Sequence, residues 1–299
     1  MKRKLDINKE QYRDLLSLLN EEIYKCAEIL GIDLANEEKL IEGCNSMKKI
    51  NLGKETTELL IDGIMHCDAE DGGKHYNVAD PLVLKFIDLE GISFAGRDVR
   101  WVDFRGTNAD INPQTVKDRN IEGADFTGID MSDKSFDHCI VRHANLSYTN
   151  AIIDPQTVYS KDLHGTICDG LDFSHKDFNG VYVKEASFKD AKINLDPQIV
   201  SCRCLFGTNL ENVDMSGKDF SDCELCYCNL TNTNAVLDLN HLDVDDLYGA
   251  KLQGTTLLVG EDFQKEELEK KQVELGEIEL NDYTLVKRKI KSIFEKINK

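Results

Sequence analysis

Large apolar residues recur at every fifth position of the chain between Leu84 and Leu257. The recurring residues are Leu84, Leu89, Phe94, Val99 and Phe104; Ile121, Phe126, Met131, Phe136, Val141 and Leu146; Leu163, Cys168, Phe173, Phe178, Val183, Phe188 and Ile193; Leu205, Leu210, Met215, Phe220, Leu225 and Leu230; and Leu247, Leu252 and Leu257. A period of five fits neither an α-helix, at about 3.6 residues a turn, nor a strand, at about two. It predicts a chain that turns a corner every five residues and buries the apolar residue of each unit, here called position i.

The residues before position i favour tight turns around a narrow core. Position i−1 is often Asp or Asn, whose side chains bond to nearby backbone groups in turns. Position i−2 is often small, as in Ala124, Cys139, Ala144, Ala186, Cys223 and Cys228. Because small and large residues alternate, we expect both to point into one core.

Three segments carry a family resemblance. GADFTGIDMS (123–132), HANLSYTNAI (143–152) and EASFKDAKI (185–193) resemble the A(D/N)Lxx units of the pentapeptide-repeat family. The resemblance covers roughly residues 84–257. It implies a mainly β solenoid, namely a right-handed parallel quadrilateral β-helix with four pentapeptides in each coil. Since hydrogen-bonded strands lie about 4.8 Å apart, about eight coils would stack to roughly 40 Å.

The rhythm is interrupted at a constant spacing of 42 residues, with restarts at Ile121, Leu163, Leu205 and Leu247. Two coils of four pentapeptides fall two residues short of that spacing, so each pair of coils carries an insert on its fourth face. The insert phrases begin at Ala109, Ala151, Ala191 and Ala235, and in the second of them residues 152–162 occupy the fourth face. The first three contain Asn-Pro or Asp-Pro, which is typical of a helix N-cap followed by Pro. We predict a short 3₁₀ or α turn at each, with Val116, Val158 and Val200 pointing inward.

The inserts have two interpretations. They are either corner variants inherited by duplication of the 42-residue unit, or a column of turns on which a partner docks. The docking column would consist of Pro113, Gln114, Pro155, Gln156, Pro197 and Gln198. Lys134, Lys176 and Lys218 share the same spacing and occupy position i−2 of the regular fourth-face units. A buried unpaired ammonium group is costly, so we expect these structural lysines to reach the carbonyls or carboxylates of the inserts, with Asp154 and Asp196 as candidate partners.

The flanks lack the five-residue rhythm, which predicts three domains: an α-helical region over 1–80, the β-helix over 81–259 and a helical cap over 260–299. Helical spacing predicts helices ending near Leu30 and over 36–48 and 55–67, and two more after Leu257, the second over 282–297. The ends of a solenoid need covers. The C-terminal helix is either this cap or a homodimer contact, and the N-terminal helices are either a cap or a separate binding module.

Composition limits the classes of function. The net charge is −19, which argues against direct binding of nucleic acid or of an anionic membrane. The start MKRKLDINKEQY has no apolar core of a secretory signal, and no apolar run is long enough to span a membrane. Ten cysteines without such a signal indicate reduced thiols. We therefore expect a cytoplasmic protein.

The chemistry-bearing residues do not assemble into a recognisable site. Cys202, Cys204, Cys223, Cys226 and Cys228 invite a zinc interpretation, but Cys223 and Cys228 fall at core positions on different faces. His138 and His143 are five residues apart and so lie a quarter turn apart. No P-loop, dinucleotide-binding glycine run, HExxH or nucleophile elbow is present. We expect no catalytic site, no cofactor and no metal.

Two functions remain. The first is a non-enzymatic interaction scaffold or adaptor that presents an acidic rod to a protein partner. The second comes from the resemblance: some pentapeptide-repeat proteins resemble B-DNA in width and charge and inhibit type II topoisomerases such as gyrase, which gives quinolone resistance. Residues 81–260 carry 28 acidic and 16 basic residues, which agrees with that charge. The helical N-terminus and the regular inserts depart from that pattern, and fold alone does not determine function.

Overall fold

The structure is a computed structural model that describes residues 37–66, 82–259 and 284–287, together with helical positions 21, 25, 27 and 28. The chain divides into two compact units, residues 1–135 and 136–299, and each is considered by itself. The predicted helix that ends near Leu30 lies almost wholly outside the described residues, as does the predicted helix that follows Leu257 directly. The three predicted domains stay a prediction.

The first unit begins with helices that contact its repeats. Helix α1 spans Glu37–Ser46, α2 spans Lys54–His66 and α3 spans Leu82–Phe86. The Lys49 ammonium donates to the carbonyls of Cys44, Lys85 and Gly106 at 2.5–2.6 Å, which ties the end of α1 to α3 and to a repeat. Ile50 forms a parallel bridge with Ile87, next to the first repeats. These contacts favour a covering role for this segment over a separate module.

The repeats stack through parallel bridges. In the second unit one column of bridges joins Asn145, Ile167, Ser187, Asn209, Asn229 and Lys251, so the chain returns beside itself after 22, 20, 22, 20 and 22 residues. We call each return a coil. In the first unit Asp103 bridges Asp125, again after 22 residues. The longer returns are those that contain the inserts, which is the alternation that the 42-residue spacing predicted.

Each corner is closed by the polar residue at position i−1. Asp130, for example, accepts the backbone N–H of Ser132 at 3.0 Å, and Asp172 accepts that of Ser174 at 2.9 Å. The residue at i+2 has a positive φ in many corners, including His138, His143 and Tyr148 at 56–59°. At these turns, short polar side chains accept the backbone N–H groups in place of carbonyls of a neighbouring strand. This geometry explains why Asp and Asn are frequent at position i−1.

The interior of the coils is filled by the predicted apolar positions except Ile193, which is only half-buried, while Leu195 nearby is fully buried. Phe104 stacks on Phe126 with ring centroids 5.3 Å apart, and Phe173, Phe178 and Phe188 meet edge to face at 5.7 Å. One column of position i−2 holds small, fully buried residues: Ala124 in the first unit, and Ala144, Thr166, Ala186, Thr208, Cys228 and Ala250 in the second. The Thr166 and Thr208 hydroxyls donate to carbonyls 25 residues earlier. Small residues therefore leave room for the stacked large ones.

Regular strands are short and parallel. Strands β1 (Asp172–Phe173) and β2 (Lys192–Ile193) pair, as do β3 (Val236–Asp238) and β4 (Thr256–Val259). Strand β5, Thr284–Lys287, pairs with β4, so that Leu257 lies beside Leu285. The prediction of a helix over 282–297 is therefore wrong for residues 284–287. Strand pairing depends on a partner distant in sequence, which helical spacing does not reveal.

Candidate interaction surfaces

The inserts begin with a side-chain-capped turn. Asn112, Asp154 and Asp196 each accept the backbone N–H two residues ahead, at 2.9–3.0 Å. Val116, Val158 and Val200 then point inward and are 3–4% exposed. A short 3₁₀ segment follows in each case: Lys117–Arg119, Tyr159–Lys161 and Ser201–Arg203. The predicted 3₁₀ turns exist, but the Asn and Asp residues cap the preceding turn and not the helix, which starts after the valine.

The six residues of the predicted docking column connect coils. Pro113, Pro155 and Pro197 are buried. The Gln156 amide donates to the carbonyls of Asp177 and Asn179 at 3.0–3.1 Å, and the Gln198 amide does the same to Asp219 and Ser221 at 2.8–3.2 Å. Gln114 reaches Ser135 at 3.3 Å. The docking column stays a prediction: the proline rings are buried, and the half-buried glutamine amides are engaged by the next coil.

Two of the three predicted lysines reach an insert. Lys134 pairs with Asp110 at 2.7 Å, and Lys218 donates to Asn194 at 2.6 Å. The hydrogen bonds that the Lys134 ammonium donates to Asp110 and Asp133 raise the pKa of Lys134. The proposed partners Asp154 and Asp196 were wrong, since their carboxylates are engaged in their own turns.

Lys176 differs from the other two lysines. The residue equivalent to Asp110 and Asn194 in its insert is Ile152, which is 63% exposed. Within the part of the chain that the structure describes, the Lys176 ammonium has no hydrogen-bond or ion-pair partner. The 42-residue unit therefore repeats this contact in two inserts and omits it in the one between them.

A large side chain covers a glycine of the next coil at five places among the described residues, a feature that we did not predict: Tyr148 lies over Gly170, and four further pairs form one series. The pairs are Trp101 with Gly123, His143 with Gly165, Glu185 with Gly207 and Tyr227 with Gly249. A Cβ atom on these glycines would lie 2.0–2.9 Å from the covering side chain. The pairs recur every 42 residues, and the alternation of a large residue with glycine is visible in the sequence once the coils are aligned.

Aromatic side chains form a band along the same face of the second unit. His143 meets His164 at 4.8 Å, and His164 meets Tyr182 at 5.8 Å. Farther along, Phe206 meets Tyr227 at 5.4 Å, and Tyr227 meets Tyr248 at 5.0 Å. The Lys184 ammonium lies 4.5 Å from the centre of the Phe206 ring. We call Phe206, Tyr227 and Tyr248 the aromatic band; its central residue, Tyr227, is 49% exposed.

Carboxylates lie close to this aromatic band. Glu224 and Asp246 come two residues before Cys226 and Tyr248, on neighbouring coils, and the Leu225 amide donates to the Asp246 carbonyl at 3.1 Å. Burial, followed by repulsion from Asp243 and Glu224, raises the pKa of Asp246. Neither Glu224 nor Asp246 has an ion-pair partner among the described residues. The local negative potential is therefore not neutralised by this part of the chain.

The cysteines do not form a metal-binding cluster among the described residues. Cys204 donates to the Glu224 carboxylate at 3.0 Å, and burial together with this bond raises its pKa to about 11. Burial raises the pKa of Cys223 to about 12. Among the described residues, no three Cys, His, Asp or Glu side chains are arranged to hold a metal ion. The described helices also include none long and apolar enough to cross a membrane.

Within each unit, parallel bridges join successive coils around a filled interior. The model of the family described as pentapeptide repeats matches residues 204–236, with eight copies. The match confirms the resemblance and identifies these repeats as pentapeptide repeats. No curated protein matches the chain.

Proposed function

We propose that this protein is a non-enzymatic interaction scaffold built on a right-handed quadrilateral β-helix of about eight coils. The observation that supports it is the filled interior: in both units, the large side chains at position i pack against small ones at i−2. An enzyme site needs a concave pocket with convergent polar groups. The described repeats offer shallow depressions, such as one of about 350 Å³ between Lys218, Asp219 and His241. Function then resides on the outer surface.

The surface has features that a protein partner can use. Tyr148, Ile152 and Tyr159 are 57–63% exposed, and Tyr227 is half exposed. Aromatic side chains are enriched at protein interfaces because they combine large apolar area with a polar atom. Exposed aromatic and aliphatic residues on backbone fixed by parallel bridges favour a scaffold that binds without rearranging.

A second candidate, inhibition of a type II topoisomerase by DNA mimicry, rests on exposed carboxylates. Asp172 and Asp214 lie on one face, and Asp177 and Asp219 lie on the next. A neighbouring serine donates a hydrogen bond to Asp172, Asp214 and Asp219, which lowers the pKa of each. Each face repeats its carboxylate only every two coils, which is roughly 10 Å at strand spacing. Duplex DNA carries about one charge per 1.7 Å. These four carboxylates alone do not reach that density, and the helical N-terminus and regular inserts depart from the DNA-mimicking proteins; both points favour the scaffold.

One experiment separates the two functions. The full chain is added to a gyrase supercoiling assay, together with a variant in which Asp172, Asp177, Asp214 and Asp219 are replaced by Asn. Asparagine keeps the turn, because its carbonyl oxygen still accepts the same N–H, and it removes the charge. The scaffold proposal expects no inhibition by either protein. Inhibition by the native chain that the variant loses would favour mimicry instead.

The scaffold itself is tested by affinity capture from the source cell with the full chain as bait. We expect a reproducible protein partner at near-equal amounts with the bait. The matched control is the full chain carrying Ile152→Ser and Tyr159→Ser, which lowers the apolarity of exposed positions and leaves the Tyr148 ring over Gly170 in place. Capture of no protein above the background of an unrelated acidic bait would refute the proposal.

A further inference from the structure

The aromatic band is the part of the surface whose chemistry identifies a ligand most clearly. Its three rings lie on three successive coils, with centroids 5.4 and 5.0 Å apart, and the central ring is half exposed. The Tyr227 amide donates to the Tyr248 carbonyl at 2.7 Å, so the backbone beneath the rings is fixed. The band is therefore a rigid apolar platform.

The platform already holds a cation of its own chain. The Lys184 ammonium lies over the Phe206 ring, 4.5 Å from its centre, within the range of a cation–π contact. Glu224 comes three residues before Tyr227, and Asp246 comes two residues before Tyr248 on the next coil; neither carboxylate has an ion-pair partner among the described residues. Ring faces and carboxylates attract the same kind of group, a lysine ammonium or an arginine guanidinium.

We propose that the aromatic band, with Glu224 and Asp246 beside it, binds a basic peptide segment of a protein partner. Charge complementarity selects this occupant, because the surface combines carboxylates that lack an ion-pair partner among the described residues with ring faces, and the whole chain has a net charge of −19. An arginine of the segment stacks on Tyr227 or Tyr248 and donates to one of the two carboxylates. This inference rests on the proposed scaffold function and names the chemistry of its partner.

The experiment measures binding of a fluorescein-labelled peptide of alternating arginine and glycine to the full chain by fluorescence anisotropy. The matching peptide has citrulline in place of arginine, which keeps the shape and removes the charge. We expect the arginine peptide to bind and the citrulline peptide to bind at least about 10-fold more weakly, the equivalent of about 1.4 kcal/mol.

Two variants address the two halves of the surface. Tyr227→Leu with Tyr248→Leu removes the ring faces but keeps apolar bulk over Gly249, and we expect roughly 10-fold weaker binding. Glu224→Gln with Asp246→Asn keeps the rings and removes two charges, and we expect about 5- to 10-fold weaker binding. Thermal unfolding monitored by circular dichroism verifies that each variant is folded; the second variant keeps the test valid if the first does not fold.

Matched controls separate this site from general attraction to an acidic protein. Glu90→Gln with Asp118→Asn removes the same charge from exposed positions of the first unit. Tyr148→Leu removes an exposed ring from another column. Both should change binding by less than about twofold, since long-range attraction between exposed charges is screened at physiological salt. Equal losses in the control and site variants would overturn the proposal.

Two further results would also overturn it. The segment from Lys287 to Lys299 is itself basic. If the peptide binds only after Lys287, Arg288, Lys289 and Lys291 are replaced by Gln, the occupant is this segment and not a partner. If affinity capture by the full chain yields a partner that both site variants retain, the scaffold function stands and the partner binds elsewhere.

Discussion

Replacing Gly123 by alanine tests the contact between a large residue and a glycine of the next coil. The new Cβ atom would lie 2.0 Å from Cε3 of Trp101 and 2.2 Å from its Cδ2. Real Cβ atoms do not approach carbon so closely, so the indole must leave its place. Because these atoms belong to the rigid ring system near its attachment, the whole side chain has to rotate, and a small adjustment is not enough.

The magnitude follows from two separable costs. Gly123 has φ +69°, where an alanine costs about 1–2 kcal/mol. Displacing a packed side chain adds about 1–3 kcal/mol. Gly180 is the matched control, because it has the same φ of +69° and nothing within 4 Å of a Cβ atom. Gly180→Ala should therefore lower the free energy of unfolding by only the first amount.

The assay uses urea unfolding followed by far-UV circular dichroism, with tryptophan fluorescence as a local probe. Trp101 is the only tryptophan of the chain and is 37% exposed. We expect Gly123→Ala to shift its emission to longer wavelength in the native state and Gly180→Ala to leave it unchanged. In a Trp101→Ala background, Gly123→Ala should cost no more than Gly180→Ala, because the obstacle is gone.

Two results would refute the reasoning. Equal destabilisation by Gly123→Ala and Gly180→Ala would show that the backbone conformation alone requires glycine. An undiminished cost of Gly123→Ala in the Trp101→Ala background would show that something other than the indole occupies the space.

Three further predictions address buried charge, the core and the inserts. Asp103→Asn should lower the free energy of unfolding by about 3–5 kcal/mol, because the buried Lys85 ammonium, 2.8 Å from that carboxylate, loses its counter-charge. Adding Lys85→Met to this variant should recover most of the loss, as measured by urea unfolding. Burial raises the pKa of Asp103, but its contacts with Arg105 and Lys85 lower it by more, so the folded value lies below the unfolded value near 3.8. The stabilisation should therefore be fully present above pH 3.8 and should be lost as the pH falls through the folded value. A loss at higher pH would contradict this reasoning. Phe188→Ala should cost about 3–5 kcal/mol in the same assay, and a cost under 1 would contradict the packed interior. Ile152→Asp should give Lys176 the partner that Asp110 gives Lys134, adding up to about 1 kcal/mol and slowing acetylation of that lysine; unchanged labelling would show that the side chains do not meet.

The five-residue rhythm predicted the core correctly because burial of position i is a local consequence of the turn. The 42-residue spacing predicted the alternation of 20- and 22-residue returns for the same reason, since two extra residues in one corner lengthen only that coil. Val116, Val158 and Val200 followed, as they occupy one place in a repeated turn. These features could be predicted from the repeat in the sequence alone.

The contacts between coils were harder to predict. Asp154 was available in sequence as a partner for a lysine, but its carboxylate accepts an N–H two residues ahead, a bond that competes with any distant cation. Gln156 was assigned to the surface, although its amide reaches carbonyls 21 and 23 residues away. Such contacts depend on side-chain direction across the stack, which periodicity does not specify.

The same comparison indicates where function resides in a repeated chain. A 42-residue unit copied without change would give every insert the same contacts, and the structural roles do recur: turn, inward valine and glutamine amide are present in three inserts. The aromatic band does not recur in this way, because its column holds Glu185 and His143 where Tyr227 stands two and four coils later. Packing over glycine requires only a large side chain at that place, so glutamate, histidine and tyrosine serve equally. The adjacent rings at Phe206, Tyr227 and Tyr248 exceed what packing over glycine requires, which supports our proposal that this surface binds a partner.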